Sequence, residues 1–243
     1  MNGFSTPAHL SRERLSDKIA KDIEARILSG ELSVGDKLPS ERDLMAYYGV
    51  GRPAVREALL WLNKTGILAV SNGDRTRVTE PDPRELLQLL SGAAKLLISR
   101  DEGIREFQKT RIFVEVAMVR EASRLASDED IIELEKLLIA NAESAGDNAQ
   151  FSKTDDAFHQ YIVSIVQNTL LDALYDVVLE LLEDQRFMSL SHPDALTKAM
   201  AAHRNIFEAI RDRDADRAEA AMRAHLDTVV ETYWQIREQA DQA

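Results

Sequence analysis

The sequence predicts a mainly α-helical chain: an N-terminal winged helix-turn-helix domain followed by a C-terminal all-helical antiparallel bundle. Three observations carry that prediction. Residues 38–78 read as helix, glycine break, helix and hairpin; two prolines follow close together at 81 and 83; and helical periodicity runs from there almost to the end.

Residues 1–12 are small and polar with one proline and are expected to be disordered. The winged domain is expected over 13–79. Leu15, Ile19, Ile23, Ile27 and Leu28 mark an amphipathic helix that ends at Gly30. Pro39 and Ser40 open the next one, with Ser40 as N-cap and Glu41 and Asp43 placing negative charge in the first turn. Leu44 and Tyr47 or Tyr48 supply its inner face, and Tyr48-Gly49-Val50-Gly51 breaks it. Arg52-Pro53 starts a second helix, since proline is tolerated where no internal N–H bond is lost, and Val55, Ala58, Leu59 and Leu62 bury one side of it. Arg52 and Arg56 lie four apart near its N-terminal end, the end from which a recognition helix meets base edges and phosphates. Ile67–Ser71 and Thr76–Thr79 read as a hairpin turning at Asn72-Gly73, with Arg75 and Arg77 near its return.

Residues 80–84, Glu80-Pro81-Asp82-Pro83-Arg84, form a stiff linker to an effector-binding and dimerisation domain over 85–238. Breaks near Gly92, Arg100–Gly103, Ser127, Gly146–Asp147, Asn168, Ser191–Pro193 and Arg213–Asp214 cut helices at about 84–99, 104–126, 128–144, 148–167, 170–190, 195–212 and 215–238. Loops this short between helices imply an antiparallel bundle.

The 243 residues contain no cysteine, which removes disulfides and thiolate zinc sites and predicts a reducing, cytoplasmic setting; no apolar run of membrane-spanning length occurs. A net charge of −12 sits oddly with DNA binding until it is divided. Residues 1–80 hold 12 Lys/Arg against 11 Asp/Glu, and the remainder holds 18 against 31. Affinity for phosphate depends on the local charge of the reader, so the acidic bundle does not exclude operator DNA as partner.

His159, His203 and His225 each fall mid-helix among apolar neighbours, and Asp155, four before His159, shares its face. Asp156 is a rival carboxylate. Three helices could aim one carboxylate and three imidazoles at one interior point, a set suited to Zn2+, or to Ni2+, Mn2+ or Fe2+ in a more open geometry. Helical histidines are also ordinary hydrogen-bonded core residues, and the spacing alone leaves that alternative open.

The run Leu38-Pro39-Ser40-Glu41-Arg42, then Val50 to Leu59, then Gly73 resembles the DNA-binding domain of GntR-type bacterial transcription regulators. The resemblance implies that Arg42, Arg52 and Arg56 meet DNA and that Asn72 and Gly73 enter the minor groove. Where that family often has Ser and Thr, this chain has Gly51 and Pro53. Asp155 to His159, Ala202 to Ile210 and Ala221 to Leu226 resemble the FCD effector domain of the FadR branch of the same family. That likeness implies a metal held by Asp155, His159, His203 and His225. It also matches Arg111 and Glu115 to an Arg-x-x-x-Glu pattern, which is either a helix salt bridge or a place where Arg111 forks onto an effector carboxylate. Arg186 is a second effector candidate. Further stretches, Asp43–Tyr48, Asn72–Val78 and Leu90–Lys95, resemble repressors of sialic-acid catabolism within the family. They imply an N-acylated sugar acid as effector; a hexuronate or another hydroxy acid is the alternative. A homodimer is expected, because two-fold operators need two readers. A helical-bundle metalloenzyme is the competing class. A di-iron site needs Glu-x-x-His pairs, and no Glu stands three before any histidine here.

Overall fold

A computed structural model describes residues 13–69, 75–190, 192 and 194–241. The chain divides between Leu86 and Leu87 into two compact units.

The first unit contains α1 (Leu15–Leu28), α2 (Glu41–Tyr48) and α3 (Arg52–Lys64), followed by an antiparallel pair, β1 (Leu68–Ala69) and β2 (Arg77–Val78). Leu68 faces Val78 and Ala69 faces Arg77. The Asn72-Gly73 turn lies outside the described residues. One face of each element makes the core: Ile19 and Ile23 of α1, Leu44 of α2, Val55 and Leu62 of α3, with Leu38, Leu68 and Val78 closing it. Ser40 caps α2, its Oγ accepting from the Asp43 amide at 3.2 Å. Gly49, at φ 64°, ends α2 in the left-handed region, where a side chain is disfavoured. Tyr48 is the inward tyrosine and donates its hydroxyl to Asp22 at 2.7 Å, while Tyr47 stays exposed.

Pro83, expected in the linker, is the first residue of α4 (Pro83–Leu97), which the expected helix at about 84–99 otherwise matches, and Asp82 accepts the Arg84 amide at 2.8 Å. Gly92, expected to break the chain, sits inside α4; a single glycine costs a helix only about 1 kcal/mol. The bundle follows as α5 (Asp101–Leu125), α6 (Asp128–Glu143), α7 (Asn148–Ser164), α8 (Thr169–Ser189), α9 (Ala195–Arg211) and α10 (Ala215–Asp241). Its starts are written in the cap residues. Ser127 and Asp130 form a capping box, Asp147 accepts from the Ala149 and Gln150 amides, and Asn168 accepts from Leu170 and Leu171. α10 lies along α5 and α9, and α7 lies between α6 and α8. Val119, Phe158, Ile162, Ile206, Ile210, Met222 and Leu226 fill the centre. No helix among the described residues is long and apolar enough to cross a membrane.

Candidate DNA reader and metal centre

Arg52 is the first residue of α3 and Arg56 follows one turn later, so both guanidinium groups leave the same end of the helix. Both turn toward Glu41 at the start of α2. Arg56 Nε lies 3.0 Å from each Glu41 carboxylate oxygen, and Arg52 Nε lies 3.8 Å away. The Arg56 side chain nevertheless remains 62% exposed, and an ion pair so wetted is worth at most about 1 kcal/mol. Pairing with Glu41 therefore leaves Arg56 available to a phosphate or a base edge. Glu57 is engaged by Arg14 instead. Arg42 projects with 90% of its side chain exposed, and Arg75 lines the same cleft as Ser40, Glu41 and Arg56. Asn72 and Gly73 belong to the undescribed wing tip.

In the bundle, α7, α9 and α10 bring His159, His203 and His225 together, all buried, with ligating atoms within 4.8 Å of one another. His159 Nε2 lies 3.3 Å from His203 Nε2, which in turn lies 3.2 Å from Asp155 Oδ1. Burial lowers the His203 value, and lowers His225 further with the other two rings opposing its charge, so both stand neutral, the form that ligates metal. Burial pushes the Asp155 carboxyl up, and the Arg186 charge beside it opposes that rise. Nitrogen and carboxylate lone pairs gathered at these distances repel unless a cation lies among them. The donor set fits a divalent ion of borderline character. Asp156, the rival carboxylate, pairs with Arg186 instead.

Two partners behind the rings complete the cluster. Glu115 Oε2 stands 3.1 Å from His159 Nδ1, off the line of a well-formed hydrogen bond, and its other oxygen accepts from Arg111 Nε at 2.5 Å. Arg111 and Glu115 are 7% and 2% exposed, so theirs is a buried pair and not a surface helix bridge. Asn141 Oδ1 lies 2.9 Å from His203 Nδ1. Nothing in the sequence singled out Asn141: it stands 62 residues from its ring, on a helix with no other site residue.

A cavity of about 520 Å³ opens against the cluster, with Arg111, Asp155, Arg186, Lys198, Asn205 and His225 in its walls. Both expected effector arginines thus reach one space, and Arg186 Nε lies 3.7 Å from Asp155 Oδ2. Lys198 and Asn205, with Ser189, Thr228 and Thr232, were not foreseen; they lie on helix faces that the sequence does not distinguish from ordinary polar surface.

A winged helix-turn-helix reader joined in one chain to a helical domain with a buried histidine cluster and adjoining cavity defines a class: a ligand-responsive DNA-binding regulator. Residues 15–78 match the family described as Bacterial regulatory proteins, gntR family, and residues 106–228 match the FCD domain. The chain belongs to the GntR family, as a transcription regulator with an FCD effector domain, and is not an enzyme. It is 40% identical over 232 residues to the HTH-type transcriptional repressor NanR of Klebsiella aerogenes, covering 92% of this chain and 87% of that one. It is 39% identical to NanR of Cronobacter sakazakii, over 95% and 89% of the two chains. Among solved structures, Streptococcus agalactiae GntR superposes with a TM-score of 0.59 at 26% identity, over 88% of this chain and 98% of that one. E. coli McbR/YncC shares the fold, with a TM-score of 0.53 at 17% identity. GntR regulators bind operator DNA, and FCD domains commonly bind a metal.

Proposed function

We propose that this chain is a cytoplasmic, homodimeric, metal-containing repressor of a sugar-acid catabolic operon, released from its operator by the sugar acid itself. The observation that carries the reading is the cavity: a space of about 520 Å³ with two buried arginines on one side and the histidine cluster at its edge. That volume is ample for a monosaccharide acid. In this reading Arg111 and Arg186 fork onto a carboxylate, and Lys198, Asn205, Thr228 and Thr232, which line the same cavity, hydrogen-bond hydroxyl and acyl groups. Likeness to the NanR repressors makes an N-acylated sugar acid, sialic acid, the first candidate effector, ahead of hexuronates and hydroxy acids.

Asp155, His159, His203 and His225 would hold the ion, with Zn2+ first and Ni2+ or Mn2+ as alternatives. When bound, the ion supplies a positive charge that attracts the effector carboxylate. The chain's own residues do the rest. Arg111, anchored through Nε to Glu115, keeps its remaining donors for the cavity. Arg186, bridging Asp155 and Asp156, ties the cavity to α7. Release from DNA requires that the effector bind more tightly to an arrangement of the paired readers that no longer matches the operator half-sites; equal affinity for both arrangements would shift nothing.

The test is a thermal-shift and gel-shift series with N-acetylneuraminic acid, a hexuronate and lactate, on metal-loaded and chelator-treated protein. The reading requires one of these acids to raise the melting temperature and release DNA only in the metal-loaded form. Release that is indifferent to chelator would refute the metal's role. No response to any of the three would refute the effector class.

A further inference from the structure

We infer that Asn141 is a positioning residue for the metal centre: its amide oxygen holds His203 as the Nδ1–H tautomer and so turns a bare Nε2 toward Asp155 and His159. The inference rests on the reading of this cluster as a metal centre. The geometry fixes which way the amide faces. Asn141 Nδ2 lies 3.3 Å from the Phe151 carbonyl and 2.9 Å from Thr154 Oγ1. A backbone carbonyl has no proton to give, so the atom facing it must be the amide nitrogen. The Thr154 hydroxyl proton is directed to the Gln150 and Phe151 carbonyls, at 3.1 and 2.9 Å, which leaves its oxygen free to accept from the same NH2. The opposite end of the amide is therefore the oxygen, 2.9 Å from His203 Nδ1. An amide oxygen only accepts, so Nδ1 carries the hydrogen.

With its hydrogen on Nδ1, the ring leaves Nε2 as the nitrogen able to ligate. That nitrogen faces Asp155 Oδ1 at 3.2 Å and His159 Nε2 at 3.3 Å, the direction in which a shared cation must lie. A partner on the far nitrogen commonly sets ring orientation in metal sites. Here His159 has a carboxylate behind it, Glu115, whereas His203 has a neutral amide, locked by α7 backbone in a way a carboxylate would not be.

The test uses full-length protein with 15N-labelled histidine rings. Long-range 1H–15N correlations of the chelator-treated wild type should show His203 as the Nδ1–H tautomer, assigned by loss of its signals in His203→Ala. Zinc affinity is then measured by competition with a chromophoric chelator. Asn141→Leu, which removes the acceptor, should bind roughly 10–100-fold more weakly and show mixed tautomers. Asn141→Asp, which restores an acceptor, should keep the Nδ1–H tautomer and stay within about threefold of wild type, a rescue that packing alone does not predict. An Nε2–H tautomer in the wild type overturns the inference. So does Asn141→Leu binding zinc as wild type, or Asn141→Asp losing zinc as fully as Asn141→Leu. If Asn141→Leu does not fold, the wild-type tautomer and the Asn141→Asp affinity decide. A wild type that binds no zinc removes the metal reading, and the tautomer spectrum still judges the amide.

Discussion

Arg56 and Glu41 form a two-oxygen contact across the helix-turn-helix, with Arg56 Nε 3.0 Å from both carboxylate oxygens. Glu41 thus engages the guanidinium of a residue one turn into α3. Arg52→Ala and Arg56→Ala should each lose about 1–3 kcal/mol of specific operator binding, read by gel shift against a scrambled duplex. Arg42→Ala should weaken all duplexes alike and reduce the salt slope by about one. Unchanged affinity in both recognition-helix variants would refute the reader assignment. Glu41→Gln should raise non-specific affinity and lower the specificity ratio.

His203→Ala and His225→Ala should lose bound metal and effector response while retaining operator affinity, because the reader has its own core. Elemental analysis and gel shifts with and without N-acetylneuraminic acid measure both. Normal release by effector in these variants would mean that the ion, if present, plays only a structural part. Because ligation needs neutral imidazole and burial holds His203 and His225 below the ordinary value of about 6.5, protonation of these two should weaken metal binding only at pH below that value.

α4 carries Leu86, Leu89, Leu90, Leu96 and Leu97 exposed and buries none of its described residues. An apolar helix left so bare predicts a self-association surface. Sedimentation should show a dimer at micromolar concentration. Leu90→Glu or Leu96→Glu should shift it toward monomer with little change in helical content. A monomeric wild type, with and without DNA, would refute this.

Asp22 tests the reader's stability. Hydrogen bonds from Arg26 and then Tyr48 hold its carboxyl below the usual range. A lowered folded value means the stabilisation is present at neutral pH and is lost as acid protonates the group, from about pH 4 downward. Its side chain is 41% exposed, so the effect should stay within about 1 kcal/mol. Urea midpoints of wild type and Asp22→Asn should differ at pH 7 and converge near pH 3. A gap that widens with acid would contradict the sign.

Gly103 sits where an added Cβ would collide with the Leu97 carbonyl. Backbone cannot swing aside as a side-chain tip can, so Gly103→Ala should disturb the α4–α5 turn and lower the melting temperature by several degrees.

Elements with local chemistry were legible in the sequence. Ser40 and Ser127 cap where their type and the following acids required, and Asp155 and His159 share a face because four residues make about one helical turn. What escaped depended on distant partners. Tyr47 and Tyr48 are equivalent by pattern, and only Asp22, 26 residues away, selects Tyr48. For Arg111 and Glu115 the spacing allowed a helix salt bridge or an effector contact, and nothing local showed that the pair would be buried. Asn141 had no local signal at all. Gly92 misled because helix propensity is a weak prior that one residue does not decide.

The cavity's two sides differ in how freely they can change. Arg111 is bound to Glu115, which faces His159; Arg186 is bound to Asp155 and Asp156, beside His203. Substitution there to suit a new effector would disturb the histidine cluster at the same time. The residues that α9 and α10 contribute include six alanines, at 195, 199, 201, 202, 221 and 224, alongside Lys198, Asn205, Thr228 and the ligand candidate His225. Enlarging the alanine positions would alter the fit while leaving the Arg111–Glu115 and Arg186–aspartate pairs in place. Divergence toward new metabolites in this architecture is thereby channelled to one wall, and directed evolution of a biosensor from this chain should begin there.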